Sequence, residues 1–207
     1  MKLNKIIKVL IFSDFALLSG FGFVTPIFAV FLTERIVGGN VRVAGYAAAI
    51  YLIVYSLAVL PISKYLDKNH GEKDDLWVMI VGNILATLAI FAYIFSRLPW
   101  HIYILQAIYG LGMAMNSPGY NAIFTRHISK GKEAFNWSVR SALIGVGGGV
   151  AGALGGIVAD KFGFNTLFVG VAVFVLVSAL IPLLILKNVS TVNKKTARIL
   201  PVKGQNK

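Results

Sequence analysis

VAGYAAAIYLIVYSLAVLPI, residues 43–62, holds no charged side chain in 20 positions. About 20 mostly apolar residues form a helix long enough to cross the hydrocarbon core of a bilayer. The whole chain shares this character, because 57% of its residues are hydrophobic and 14% are charged, against about 25% charged residues in a soluble domain. An open β-sheet would leave the backbone groups at its edges without hydrogen bonds in lipid. A closed β-barrel is also excluded, because its strands alternate apolar and polar residues and this stretch does not. It therefore predicts a transmembrane helix.

Further apolar runs flank this one, joined by short polar segments. The six predicted spans are residues 6–32, 43–62, 76–96, 102–125, 135–159 and 164–186. The first run is too long for the apolar region of a signal peptide, so we expect it to remain as a helix. The sequence thus predicts an all-α membrane protein, with a six-helix transmembrane domain over residues 1–186 and a basic tail over residues 187–207.

Basic residues predict the orientation of these spans. Sixteen of the 20 lysines and arginines lie at the N-terminus, after the second and fourth spans, and in the tail. The other four are Arg35, Arg42, Arg97 and Lys161. Positively charged loops stay in the cytoplasm, so both termini are predicted to be cytoplasmic in a multi-pass plasma membrane protein. The net charge of +12 is not gathered on one element, so no nucleic-acid partner is expected. The tail is expected to bind anionic lipid.

The two halves of the apolar region show a weak internal repeat. Gly20 matches Gly110 at an offset of 90 residues, and Asp67 matches Asp160 at an offset of 93. Spans one to three therefore look like a distant copy of spans four to six. Three is an odd number, so the second copy must be inverted in the membrane, which is a known construction of secondary transporters.

Four segments resemble the major facilitator superfamily, and specifically its N-terminal six-helix half. They are residues 20–28, 63–71, 106–114 and 147–156. They are similar to the family's first helix, its loop between helices two and three, its fourth-helix motif and its fifth-helix glycine motif. Gln106 stands where the family has an arginine implicated in proton coupling, and Gly152 where many members have proline. The resemblance implies a transporter in which helices one, two, four and five line a central cavity.

Charged and polar groups within the spans are the candidates for binding a substrate or a proton. Asp14 lies inside the first span, where a carboxylate is costly and marks a functional site by default; the alternative is pairing with a nearby Lys or Arg. Arg140 can snorkel to the headgroups, or pair with Asp14, or contact an anionic substrate. The further candidates, which could instead link helices, are Gln106, Asn116, Tyr120 and Asn121. Asn83 is predicted to make a structural hydrogen bond.

Two other groups of residues carry predictions. The loop resemblance implies a gating role for Asp67, Lys68 and Gly71. Small residues four apart let helix backbones approach closely, which predicts either fixed packing or a sliding contact at Gly145, Gly148, Gly149, Gly152, Gly155 and Gly156. No catalytic residues, metal site or cofactor are predicted, because the histidines lie in or beside loops and no catalytic motif is present.

These features favour a half-size secondary transporter that moves a small solute by alternating access. An even number of spans inserts two copies in the same orientation, so a homodimer could rebuild the cavity between two halves. Sparse charge within the spans favours a neutral or amphiphilic solute. The alternatives are a non-transporting membrane subunit that pairs with another half or another protein, and an inert remnant of a full-length transporter.

Overall fold

The computed structural model describes residues 3–69 and 71–189. Within these ranges the chain forms helices joined by short turns, and no strand is found there. The prediction of an all-helical protein is confirmed. The predicted tail over residues 187–207 lies outside the described residues after position 189.

The helices are long, and several end in a tighter 3₁₀ turn. They are α1 (Lys5–Val24), α2 (Phe28–Arg35), α3 (Val41–Asn69), α4 (Glu72–Ala92), α5 (Pro99–His127) and α6 (Glu133–Leu180). The 3₁₀ turns are Thr25–Ile27, Tyr93–Phe95 and Ile181–Ile185. By length and composition, four stretches of the described chain could cross a membrane: Lys5–Arg35, Val41–Lys68, Glu72–Phe95 and Glu133–Ile185. These apolar helices point to a membrane-embedded protein.

Short polar side chains fix where the helices begin. Asn4 Oδ1 accepts a hydrogen bond from the backbone of Ile6 at 3.2 Å, just before α1. Asn40 Oδ1 does the same before α3, accepting from the backbone of Arg42 at 2.9 Å and of Val43 at 3.2 Å. The first amides of a helix have no partner within it, so such caps satisfy donors that lipid could not.

Gly163 interrupts α6. Its φ of 80° and ψ of 163° are not helical, and only glycine adopts this conformation readily. Immediately after it, the ring of Phe164 lies 5.4 Å from the ring of Phe31 in α2. We call residues 133–162 the first limb of α6 and residues 164–180 the second limb.

The two limbs run in opposite directions along α1. On the first limb, Gly147 lies against Ser19. On the second limb, Ser178 lies further back along α1, where the hydroxyl of Ser13 donates to the Ser178 carbonyl at 2.7 Å. The turn beside Phe31 lies beyond both contacts. The chain therefore reverses at Gly163, and α1 packs against both limbs.

Glycines bring the first limb and α1 into backbone contact. A Cβ atom placed on Gly155 would overlap the carbonyl oxygen of Phe23. A Cβ atom on Gly22 would lie 2.9 Å from the Cα of Gly148, and one on Gly152 would lie 3.5 Å from the carbonyl oxygen of Gly22. Helix association in lipid depends on such close packing, because burial of apolar surface gives no advantage there.

The other predicted packing glycines meet no neighbour within the described chain. A Cβ atom on Gly145, Gly149 or Gly156 would have open space around it. These three positions make no close contact within the described chain, so their packing role stays a prediction. Gly145 and Gly149 are each two positions from Gly147, and two residues turn a helix to its opposite face. Gly147, which faces α1, is the contact that the prediction omitted.

The two sets of basic residues that the sequence analysis distinguished lie at opposite ends of the bundle. An ion pair between Asp75 and Arg126 joins the start of α4 to the end of α5, and His127 lines a small cavity with Asn4 at the start of α1. At the opposite end, the backbone amide of Val37 donates to the carbonyl of Arg97 at 2.9 Å. The lysine-rich ends of the helices therefore share one end of the bundle.

Gly155→Ala tests the backbone contact with α1. We expect the substitution to lower the free energy of unfolding by about 1–3 kcal/mol, because the added methyl group meets a carbonyl oxygen that cannot move aside. Thermal denaturation of the detergent-solubilised protein, followed by circular dichroism, would show a lower melting temperature.

Gly156→Ala is the matched control, because its methyl group enters open space. Alanine is the better helix former by about 0.5–1 kcal/mol, so this variant should melt at the wild-type temperature or slightly above it. Equal melting temperatures for the two variants would contradict the close approach of α1 and the first limb at Gly155.

Candidate functional site

A buried ion pair links α1 to the first limb of α6. Asp14 is only 4% exposed, and its Oδ2 lies 2.6 Å from Nη2 of Arg140. The Arg140 guanidinium lies over two aromatic rings, 5.0 Å from the centre of Tyr120 and 5.5 Å from that of Trp137. The structure shows the pairing with Asp14 that the sequence analysis gave as an alternative for Arg140.

This cluster has unused hydrogen-bonding capacity. Arg140 Nε and the Tyr120 hydroxyl are buried and have no hydrogen-bond partner of good geometry among the described residues. Asp14 Oδ2, by contrast, is held by the ion pair with Arg140. Buried polar atoms are usually satisfied, and exceptions often belong to functional sites. The cluster could accept a proton at Asp14 or a hydroxyl group of a ligand.

A chain of hydrogen bonds lies next to the ion pair and ties four helices together. Asn116 Nδ2 donates to Asn83 Oδ1 at 2.7 Å, and Asn83 Nδ2 donates to the hydroxyl of Ser178 at 3.2 Å. The chain continues through Ser178 to Ser13, the residue before Asp14. The structural hydrogen bond predicted for Asn83 is confirmed. Asn116, predicted as a substrate candidate, is 5% exposed and serves this network.

The remaining polar candidates lie apart from the ion pair. Asn121 is exposed and, together with Asp67 of the predicted gating loop, lines an open cavity of about 470 Å³ between α3 and α5. Lys68 is exposed near the end of α3, and Gly71 lies directly before α4. Gln106 is buried, and its 14 positions from Tyr120 correspond to about 21 Å along α5.

An ion pair and a nearby Glu–His contact that the sequence interpretation missed lie at the basic end of the bundle. Asp75, 1% exposed, pairs with Arg126, and Glu72 lies 3.5 Å from Nδ1 of His127. Both acids lie in the first turn of α4 and both bases in the last turn of α5. Each charge also suits its helix end, because the helix dipole favours acids at the N-terminus and bases at the C-terminus. That placement was the signal available in the sequence.

An aromatic cavity is the second feature that the sequence interpretation missed. Its volume is about 170 Å³, and its wall includes Phe21, Phe28, Tyr93 and Tyr109. The ring of Tyr51 on α3 stacks on the outer side of this wall, 4.9 Å from the ring of Tyr109. Aromatic residues are common in any membrane span, so their number alone does not distinguish a cavity wall from a lipid-facing surface.

Comparisons with known proteins agree with this architecture. The family described as the Major Facilitator Superfamily matches residues 10–203. A curated relative, the proton-coupled antiporter flippase LtaA of Staphylococcus saprophyticus subsp. saprophyticus, is 28% identical over 143 residues, which cover 68% of this chain and 35% of the relative. The matched segment thus spans about a third of that relative's length. The match of the family over nearly the whole chain, on a bundle of long apolar helices, shows that this chain belongs to the Major Facilitator Superfamily.

Proposed function

We propose that this chain forms one bundle of a secondary transporter that moves a small amphiphilic solute across the membrane by alternating access. The observation that carries the proposal is the buried pair of Asp14 and Arg140. Charges inside membrane helices are costly and commonly mark substrate or ion pathways. Here the pair joins the two helices that meet through backbone contact.

In the proposed topology the chain crosses the plasma membrane six times. Both termini and the basic end of the bundle face the cytoplasm. The reversal at Gly163 supports it, because each limb of α6 then crosses once. The repeat supports an inverted arrangement of three plus three helices: Asp67 precedes the turn before α4, and Asp160 precedes the turn at Gly163. The clustering of basic residues at one end of the bundle supports the orientation.

In the proposed mechanism the ion pair acts as a latch between α1 and the first limb. When Asp14 is charged, Arg140 neutralises it, and the two helices stay together. A proton on Asp14 removes that attraction, so Arg140 becomes free to contact the solute or solvent. The relative's name describes it as proton-coupled, and the burial of the Asp14 carboxylate inside the bundle supports a proton site here. The glycine contact between Gly22 and Gly148 would let the helices slide once the latch opens.

The proposed solute is an amphiphile. The relative is named a flippase, and a flippase moves a lipid between the leaflets of a membrane. The chain's own support is that a charged pair and an aromatic cavity both lie beside α1.

The proposed partner is a second copy of this chain. Transporters of this family bind their substrate between two six-helix bodies related by an axis along the membrane normal, and the residues described here form one such body at most. Two copies inserted in the same orientation can pair about that axis. The outward glycines Gly145 and Gly149, which meet no neighbour within the chain, would allow a close approach of the second copy.

The mass of the purified protein tests the partner. Native mass spectrometry from lipid nanodiscs is expected to give about twice the 22.4 kDa of one chain. A monomer at every protein and lipid concentration would contradict the homodimer and favour the alternative of a subunit that pairs with another protein.

Asp14→Asn tests the role of the ion pair in transport. In proteoliposomes, an alkyl glucoside with a fluorescent NBD group would be followed by dithionite quenching under an imposed pH gradient. The substitution removes the titrating carboxylate, so the gradient-driven rate should fall at least about tenfold, which corresponds to about 1.4 kcal/mol in the barrier.

Asp74→Asn is the matched control, because Asp74 is an exposed carboxylate at the basic end of α4 and takes no part in the proposed latch. Its rate should stay within about twofold of the wild type, a change under about 0.5 kcal/mol. Equal losses in the two variants, or none in Asp14→Asn, would refute the latch. No transport by the wild type with any alkyl glucoside would count against the transporter itself.

A further inference from the structure

The ion pair and the aromatic cavity both lie beside α1 and α5, at different heights along these two helices. These two helices pack mainly against other elements, α1 against α6 and α5 against α3 and α4. Asp14 and Phe21 are seven residues apart on α1, which is about two helical turns, and Tyr109 and Tyr120 are eleven apart on α5, about three turns. Each pair therefore lies on one face of its helix.

Contacts link these two faces at two levels. At the first level Arg140, paired with Asp14, lies over the ring of Tyr120. At the second level the rings of Phe21 and Tyr109 are 4.7 Å apart. The two levels are separated by about 10 Å along α1, the rise of seven residues, and by about 17 Å along α5, the rise of eleven residues. One level is charged and the other is apolar.

The aromatic cavity at the second level suits a small apolar group. Its volume is about 170 Å³. An engineered apolar cavity of about 150 Å³ binds benzene, so the two cavities are similar in size. Phe28 and Tyr93 close another side, with ring centres 5.6 Å apart. The hydroxyl of Thr25, which also lines the cavity, already donates to the carbonyl of Phe21 at 2.9 Å, so it offers no free donor to a polar ligand.

We propose that this cavity binds the hydrocarbon end of an amphiphilic solute whose polar end lies toward Asp14 and Arg140. The inference rests on the proposed function, because it says which part of the transported solute the cavity binds. The spacing of about 10–17 Å between the two levels is long enough for a polar headgroup followed by a short alkyl chain. The cavity would thus select for chain length, and the ion pair for the polar end.

Photolabelling tests this assignment without relying on transport. The full chain in lipid nanodiscs would be irradiated with an octyl glucoside that carries a diazirine at the end of its alkyl chain, and the labelled residues would be mapped by mass spectrometry. We expect saturable labelling at the cavity wall, including Phe21 and Tyr109. Methyl glucoside, which has the headgroup but no chain, should not compete, whereas unlabelled octyl glucoside should.

Val24→Phe is the test variant, because Val24 lines the cavity and a larger side chain there would fill it. Labelling at the cavity wall should fall at least about tenfold, equivalent to about 1.4 kcal/mol in binding. Val158→Phe is the matched control, because Val158 lines a separate apolar cavity of about 140 Å³ beside Phe23 and Phe174. It should leave labelling within about twofold of the wild type, under about 0.5 kcal/mol.

Phe28→Trp fills the cavity from another wall, so a folding defect in one variant does not decide the result. Saturable labelling that both filling variants abolish and Val158→Phe retains would establish the site. Labelling that rises without saturation, or that survives in folded Val24→Phe and Phe28→Trp, would overturn it.

The transport assay with the NBD-labelled alkyl glucoside separates the two proposals. Transport without cavity labelling would overturn the inference and leave the proposed function standing. Cavity labelling without transport would establish the site and count against the transporter.

Discussion

The backbone contact between α1 and the first limb of α6 is the interaction on which the rest of the structure depends. In lipid, apolar surface gains nothing by turning inward, so helices associate through close packing and polar bonds. The glycines on both sides of this contact allow it, with Gly155 against Phe23 and Gly22 against Gly148. The approach holds the first limb beside α1 and so places Arg140 within reach of Asp14.

Hydrogen bonds between polar side chains also hold the helices of this bundle together, a role that apolar burial has in a soluble protein. Asn83 receives a bond from Asn116 and gives one to Ser178, so one amide on α4 bonds to both α5 and α6. Removing one partner would leave the others unsatisfied in a medium without water. The network ends at Ser13, the residue before Asp14, so one of the polar links between helices borders the group proposed to move a proton.

The helices and the placement of basic residues at their ends could be predicted from the sequence. Both depend on local composition, because each residue's hydrophobicity and charge decide whether it lies in lipid. The sequence analysis named Asp14 and Arg140, but pairing remained one of several alternatives because the two residues are 126 positions apart and their distance depends on packing. The spacing of the glycines predicted a close contact without saying which face made it, so Gly145 and Gly149 were included and Gly147 was not.

The aromatic cavity was missed for a related reason. Both lipid and a protein interior accept Phe21, so hydrophobicity does not separate inward from outward positions in a membrane span.

The turn at Gly163 has a mechanical consequence. A single residue with φ of 80° reverses the chain between the two limbs, and no flexible linker separates them. Both limbs also rest on α1, the first near Ser19 and the second near Ser13. Because both limbs pack on α1 and are joined at one residue, a change in the position of α1 would alter the packing of both limbs at once.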